Sequence, residues 1–129
     1  MYDLCNLGMD AYGIDRSNYA IRCAPTEILN RVAVRDAREL DYYDDNEFDL
    51  VLGINVIENL PLDECRKIIQ QIERIGKNKF MRLDAWRNEE EKKMMENWAF
   101  TAITYLQPKD WINVLKNEGY TGEVYWFFP

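Results

Sequence analysis

Residues 48–54 read FDLVLGI, a near-continuous apolar run that lies between a turn signal at Asp45-Asn46 and the polar Asn55. A short run of this kind is typical of a strand that is buried on both faces of a parallel sheet. We therefore expect residues 48–54 to form the centre of a sheet, with the neighbouring elements arranged around them.

Two shorter strands are predicted before this run, and each ends on an aspartate. Residues 9–15 (MDAYGID) close on Asp15, and residues 31–36 (RVAVRD) close on Asp36. Ser17 is the predicted N-cap of a short helix between them. An acidic loop, ARELDYYDDNEF, then leads into the central run.

After the central run the pattern alternates between helix and strand. Residues 61–75 carry apolar side chains at helical spacing, and residues 79–83 (KFMRL) form a strand that ends at Asp84. Further helices are predicted over 88–105 and 108–119, and the sequence GEVYWFF forms the last strand.

Five strands that alternate with helices predict the α/β class, with an open, mostly parallel sheet and helices on both faces. The 129 residues suit one domain over 1–129, and 47% apolar residues are enough for a core. Ligands of such sheets bind outside the carboxyl ends of the strands, which is where Asp15, Asp36, Asn55 and Asp84 fall.

Composition excludes several classes of function. A net charge of -7 argues against nucleic acid as a partner, because counterion release cannot drive that binding. No apolar run is long enough to span a membrane and no signal peptide is present, so we expect a cytoplasmic protein without a membrane partner. The chain has no histidine, which removes His-based triads and His-ligated zinc, and no metal site is predicted.

The order of the motifs carries a family resemblance. YGIDRS is followed by VRDARELDYYDDNEFDLVLGINVIENL, then by a helix and by the strand that ends at Asp84. This order resembles the class I S-adenosylmethionine-dependent methyltransferases, which carry a G-D-A-x-x-L segment, an acidic loop and an F-D-x-V strand at comparable spacing. The resemblance covers nearly all of residues 9–128. It implies a Rossmann-like fold, S-adenosylmethionine as cofactor, and methyl transfer to a small-molecule or protein acceptor.

The resemblance also implies which residues hold the adenosine part of the cofactor. Asp15 would accept hydrogen bonds from the two ribose hydroxyls, which suits a carboxylate at a strand end. Asp36 would accept from the adenine amino group, and the N–H of Ala37 would donate to the ring. Arg16 stands where the family usually has an apolar residue, so its stem or guanidinium plane would stack on the adenine instead.

The end of the central run and the loop after it would contact the methionine part of the cofactor and the methyl acceptor. By resemblance, Gly53, Ile54 and Asn55 pass beneath the methionine part of the cofactor and face the substrate. Glu58 is the candidate general base, and Asn55 could orient the acceptor by hydrogen bonding. The acceptor pocket is predicted from residues at the end of the next strand: Asp84, Trp86 and Arg87.

The front of the family pattern is not found. The first strand and its glycine-rich loop should precede Met1, and Gly8 and Gly13 do not reproduce that loop. We therefore expect an N-terminally incomplete domain that lacks the usual first strand and binds S-adenosylmethionine weakly or not at all. Strands 9–15 and 48–54 would then pair directly, or a second copy would contribute an element in a homo-oligomer.

Other interpretations of the same residues stay open. Asp15 and Asp36 suit turns or helix caps, Glu58 suits a solvated helix start, and Trp86 suits a core position. For the whole chain, the second hypothesis is a non-enzymatic α/β binding or assembly module that has lost cofactor binding. A nicotinamide-dependent oxidoreductase is a third and weaker hypothesis, because no phosphate-cradling glycine loop is present.

Overall fold

The computed structural model describes all of residues 1–129, which divide into two compact units, Met1–Leu40 and Asp41–Pro129. Each unit holds its own parallel sheet. The predicted α/β class and parallel strands are confirmed, whereas the expectation of one domain over 1–129 stays a prediction. None of the helices combines the length and apolar character that crossing a bilayer requires.

The first unit contains a two-stranded sheet and short helices. Its elements are α1 (Tyr2–Asn6), β1 (Gly13–Asp15), α2 (Asn18–Arg22), a 3-10 helix (Thr26–Arg31) and β2 (Val32–Val34). Strands β1 and β2 run parallel, with Asp15 opposite Val34. Ser17 caps α2 as predicted, because its hydroxyl oxygen accepts a hydrogen bond from the Ala20 N–H at 3.2 Å.

The second unit contains a three-stranded parallel sheet in the order β3-β4-β5. Its elements are β3 (Phe48–Ile54), a 3-10 helix (Ile57–Asn59), α3 (Leu62–Ile75), β4 (Gly76–Asp84), α4 (Glu89–Trp98), α5 (Pro108–Asn117) and β5 (Glu123–Phe127). The parallel register aligns the carboxyl ends of β3 and β4, since Ile54 lies opposite Arg82.

The core of the second unit lies between its sheet and helices α3 and α5. In α3 the buried side chains recur at helical spacing: Cys65, Ile68, Ile69, Ile72 and Ile75. Trp111 of α5 is fully buried, and its Nε1–H donates to the backbone oxygen of Asp84 at 3.3 Å. This packing fixes the carboxyl end of β4 against α5.

The expectation that residues 48–54 form the sheet centre is wrong. β4 is the central strand of this sheet, and β3 has one hydrogen-bonded neighbour. One face of β3 is exposed at Leu50, Leu52 and Ile54, whereas Gly53 on the other face is buried. The apolar run therefore indicated a strand correctly, but it is buried on one face only.

The five predicted strands form two sheets rather than one. Strand β1 pairs with β2 and strand β3 pairs with β4, so no backbone ladder joins residues 9–15 to residues 48–54. Direct pairing of these two strands was one of the two expected outcomes and is wrong for the single chain. The other outcome, an element supplied by a second copy, stays a prediction.

The helix predicted over 88–105 ends at Trp98. The chain beyond it is irregular because its peptide groups are used elsewhere. The N–H groups of Ile103 and Thr104 both donate to the backbone oxygen of Glu58, at 2.8 and 2.9 Å. The segment that follows α4 thus lies against the 3-10 helix that carries Glu58.

Candidate active site

The site begins at Asn55, where the chain leaves β3. Asn55 has a φ of 52°, a left-handed conformation that asparagine tolerates better than most residues. Its backbone N–H still donates to the backbone oxygen of Arg82 at 3.2 Å, and its side-chain amide donates to Oδ1 of Asp84 at 2.7 Å. The turn at Asn55 leads into the 3-10 helix and so brings Glu58 to the ends of β3 and β4.

Hydrogen bonds on both sides hold this turn in place. The Asn59 amide donates to the backbone oxygen of Asn55 at 2.8 Å, and the Thr101 hydroxyl donates to Oδ1 of Asn59 at 2.7 Å. The Arg82 guanidinium donates to the amide oxygen of Asn55 and lies 4.4 Å from the centre of the Phe127 ring. Side chains from three segments therefore fix one conformation of the loop.

Glu58 is the most unusual residue of the site. It is 1% exposed, and neither carboxyl oxygen has a hydrogen-bond partner. Burial raises the pKa of Glu58 to about 7, and the negative charge of Asp84 adds to the increase. The nearby peptide N–H groups of Glu58 and Asp84 and the charge of Arg82 oppose the shift. An acid with this pKa exchanges a proton near neutral pH.

Glu58 and Asp84 line a cleft of about 350 Å³. Polar and acidic residues come from the strand ends and the 3-10 helix between β3 and α3: Asn55, Glu58, Asn59 and Asp84. The rest of the lining comes from the end of α4 and the segment after it: Trp98, Ala99, Phe100, Thr101 and Ala102. Trp98 also borders a neighbouring apolar cleft of about 440 Å³ with Met94, Asn97, Phe127 and Pro129. Two acidic residues therefore line a cleft that adjoins apolar surface, and the carboxyl oxygens of Glu58 are buried in its wall.

The structure brings together three of the predicted residues, Asn55, Glu58 and Asp84. Two predicted acceptor residues, Trp86 and Arg87, do not line this cleft. Trp86 is half-buried, and the Lys92 ammonium lies 5.2 Å from its ring centre. The guanidinium of Arg87 forms an ion pair with Glu91, which is supported by a 2.9 Å hydrogen bond from Nε.

Gly53 and Ile54 flank the site on β3. A Cβ atom at Gly53 would lie 3.3 Å from Cγ of Met81 and 3.7 Å from Cδ1 of Ile72, so the side chains pack tightly against this glycine. Any contact of Gly53 with a cofactor would therefore come from its backbone. Ile54 is exposed.

The predicted adenosine-binding residues lie in the first unit. Asp15 is the last residue of β1 and Asp36 lies two residues after β2, so both are near strand ends as expected. The Arg35 N–H donates to the Asp15 backbone oxygen at 3.1 Å. Both oxygens of Asp36 are held by the Arg38 side chain at 2.9 and 2.7 Å, which keeps the pKa of Asp36 below its usual range. Arg16 is exposed.

Several residues of the cleft were not predicted from the sequence. Asn59 follows Glu58 directly, but no pattern distinguishes it from a surface amide. The residues after α4 were not predicted as part of a site, because the sequence predicted a helix through residue 105. The β-branched residues Thr101, Ile103 and Thr104 were the one signal that the helix ends early.

Comparison with known proteins places the chain in a family. The model of the family described as "Methyltransferase domain" matches residues 1–79, which run from α1 into β4 and include Asp15, Asp36, Asn55 and Glu58. No match was found among curated proteins or among solved structures. The family match covers more than half of the chain and agrees with the parallel α/β architecture, so this chain belongs to the methyltransferase domain family.

Proposed function

We propose that this chain transfers a methyl group from S-adenosylmethionine to a small-molecule or protein acceptor that binds in the cleft beside Glu58. The observation that carries the proposal is the Glu58 carboxyl group, which is buried, has no partner and lies at the strand ends of a methyltransferase domain. Ionisable groups with perturbed pKa values in clefts are characteristic of functional sites. The cytoplasmic location expected from the sequence is part of this proposal.

Different cleft residues have different roles in the proposed methyl transfer. S-adenosylmethionine supplies an activated methyl group on its sulfonium, so the protein has to align the acceptor and exclude water. Glu58 accepts the proton that the acceptor loses. Asp84 and Asn55, joined by a 2.7 Å hydrogen bond, orient the acceptor from the end of β4 and the turn after β3.

The residues of the first unit fit the adenosine part of the cofactor to different degrees. Asp15 is exposed and uses Oδ1 to accept the Ser17 N–H at 2.7 Å, which leaves Oδ2 for ribose hydroxyls. The backbone N–H of Ala37 would donate to a ring nitrogen of the adenine. Asp36 is already engaged by Arg38, so it would accept the adenine amine with its remaining lone pairs.

A non-enzymatic binding or assembly module is the second candidate function. It is favoured by the exposed apolar face of β3 at Leu50, Leu52 and Ile54, next to a strand edge with one neighbour. Exposed edge strands of this kind pair readily with other chains. A second copy of the chain is the occupant that this candidate predicts.

The two candidates differ in turnover. We expect the chain to release S-adenosylhomocysteine when it is incubated with S-adenosylmethionine and an acceptor library. Glu58→Gln should lower that rate by about 100-fold or more, the range for loss of a general base. Glu90→Gln, an exposed change in the first turn of α4, is the matched control. No turnover, together with no calorimetric binding of S-adenosylhomocysteine, would favour the binding module.

A further inference from the structure

The acidic groups of the cleft beside Glu58 outnumber the basic groups that act on them. Two carboxylates, Glu58 and Asp84, line it, and Arg82 is the cation whose charge acts on Glu58. The hydrogen bond of Arg82 goes to the amide oxygen of Asn55. When both acids are ionised, these three groups carry one net negative charge. Neither oxygen of Glu58 has a partner at hydrogen-bond distance, although the peptide N–H groups of Glu58 and Asp84 lie near the carboxyl group.

We propose that the acceptor in this cleft is an aliphatic amine, which binds in its protonated form and donates N–H groups to the Glu58 carboxylate. The inference rests on the proposed function and names its substrate class. A protonated amine supplies a positive charge that balances the carboxylates and several N–H donors for the two unpartnered oxygens of Glu58. A hydroxyl acceptor would supply one donor and no charge, so a buried carboxylate would stay unbalanced.

The aromatic residues that line the cleft suit the same ligand. Trp98 is 49% exposed and Phe100 is 97% exposed, although both are large aromatic side chains at the cleft. Aromatic faces attract ammonium groups, most strongly when the site excludes water. Trp98 also borders the adjacent apolar cleft, which offers a place for the carbon skeleton of the amine.

The arrangement accounts for each proton and electron pair of the transfer. One N–H proton of the bound ammonium passes to the Glu58 carboxylate, and this frees the nitrogen lone pair. The lone pair then forms a bond to the methyl carbon of the sulfonium donor while the carbon–sulfur bond breaks, and its electron pair stays on sulfur as a thioether. The methylated nitrogen keeps the positive charge, which Glu58 balances again once its proton has left.

Binding without the cofactor tests the inference separately from catalysis. Cyclohexylmethylamine and the neutral cyclohexylmethanol have nearly the same shape and can be compared by ligand-observed NMR at millimolar concentration. We expect the amine to bind at least tenfold more tightly than the alcohol, and Glu58→Gln to abolish that preference. Glu90→Gln should leave the preference unchanged.

Phe100→Ala provides a second variant that does not depend on a buried position. Because Phe100 is exposed, its removal should leave the fold intact and weaken amine binding about two- to fivefold. No preference for the amine, no detectable amine binding, or an unchanged preference in Glu58→Gln would overturn the inference. Amine binding without any methylation would contradict the proposed function alone, and methylation of hydroxyl acceptors only would contradict the amine inference alone.

Discussion

The side-chain amide of Asn55 donates a 2.7 Å hydrogen bond to Oδ1 of Asp84, so the residue that follows β3 is tied to the residue that ends β4. The bond joins positions that are 29 residues apart in the sequence. The bond holds the turn that leads to Glu58 against the end of β4, and both of its residues line the cleft. Changes to Asn55 should therefore affect stability and site geometry together.

Asn55→Ala should lower the free energy of unfolding by about 2 to 4 kcal/mol. It removes a hydrogen bond to a charged group, worth about 1.5 to 3 kcal/mol, and places an alanine in a left-handed conformation at about 1 kcal/mol. Asn55→Gly loses the same hydrogen bonds without the conformational cost. Urea unfolding should rank the variants in the order parent, Asn55→Gly, Asn55→Ala. Equal stability of the glycine and alanine variants would contradict the role of the backbone conformation.

Glu58 should make the protein less stable as pH rises through the acid range. The pKa of Glu58 is about 7 in the folded chain, compared with an ordinary value of 4.5. Between these two pH values the folded chain keeps a proton that the unfolded chain releases. The free energy of unfolding should therefore fall between pH 4.5 and 7, by about 3 kcal/mol, and stay level above that window. The negative charge of Asp84 raises this pKa and the positive charge of Arg82 lowers it, and the effect of Asp84 is the larger of the two.

The Glu58→Gln variant isolates that contribution from the other carboxylates. The difference in unfolding free energy between variant and parent should be small below pH 4.5, and it should favour the variant increasingly up to pH 7. Thermal or urea unfolding across this range measures it, with Glu90→Gln as the control. A variant that is less stable than the parent above pH 7 would show that the Glu58 carboxylate has a stabilising partner.

Local patterns were sufficient to predict which acidic residues lie at the ends of strands. Asp15, Asp36 and Asp84 lie where β-branched or apolar runs end, and a parallel sheet places such ends at its carboxyl edge. Helix α3 was predicted almost to the residue, because its apolar side chains recur at helical spacing before Gly76. These features depend on neighbours in the sequence, which is why the sequence reveals them.

Features that depend on distant partners were not predicted. An apolar run such as 48–54 indicates a strand, but whether both of its faces are covered is decided by other elements. The segment after α4 has a distant partner, the Glu58 backbone oxygen, which accepts the N–H groups of Ile103 and Thr104. Glu58 itself is buried by the folded chain, so a residue expected at a solvated helix start lies at the cleft instead.

Two glycines of the second unit should differ in their tolerance of alanine. A Cβ atom at Gly53 would lie 3.3 Å from Cγ of Met81, a flexible side chain that can shift, so Gly53→Ala should cost about 1 kcal/mol. A Cβ atom at Gly122 would lie 2.5 Å from the backbone oxygen of Lys79, which cannot move without disturbing β4. Gly122→Ala should cost about 3 kcal/mol. Urea unfolding, with the exposed change Asn113→Ala as control, would contradict this packing if the two glycine variants were equally stable.

Asp15 should dominate the affinity for the adenosine part of the cofactor. Asp15→Ala should weaken S-adenosylhomocysteine binding by about 1.5 to 3 kcal/mol, the range for hydrogen bonds to a charged group. The alanine variant also loses the 2.7 Å bond that the Asp15 carboxylate accepts from the Ser17 N–H, so its effect includes a local change of the turn. Asp15→Asn keeps an acceptor for Ser17 and removes the charge, which separates the two effects.

The exposed change Asp3→Ala in α1 is the matched control for the loss of one negative charge in the same unit. Calorimetric titration should give the parent and Asp3→Ala the same affinity for S-adenosylhomocysteine. Asp15→Ala should bind most weakly, and the affinity of Asp15→Asn should lie between that of Asp15→Ala and that of the parent. Parent-like binding by Asp15→Ala would remove Asp15 from the cofactor site. If the alanine and asparagine variants were equally weak, the carboxylate charge rather than the turn would account for the whole effect, because only the asparagine preserves the acceptor for Ser17.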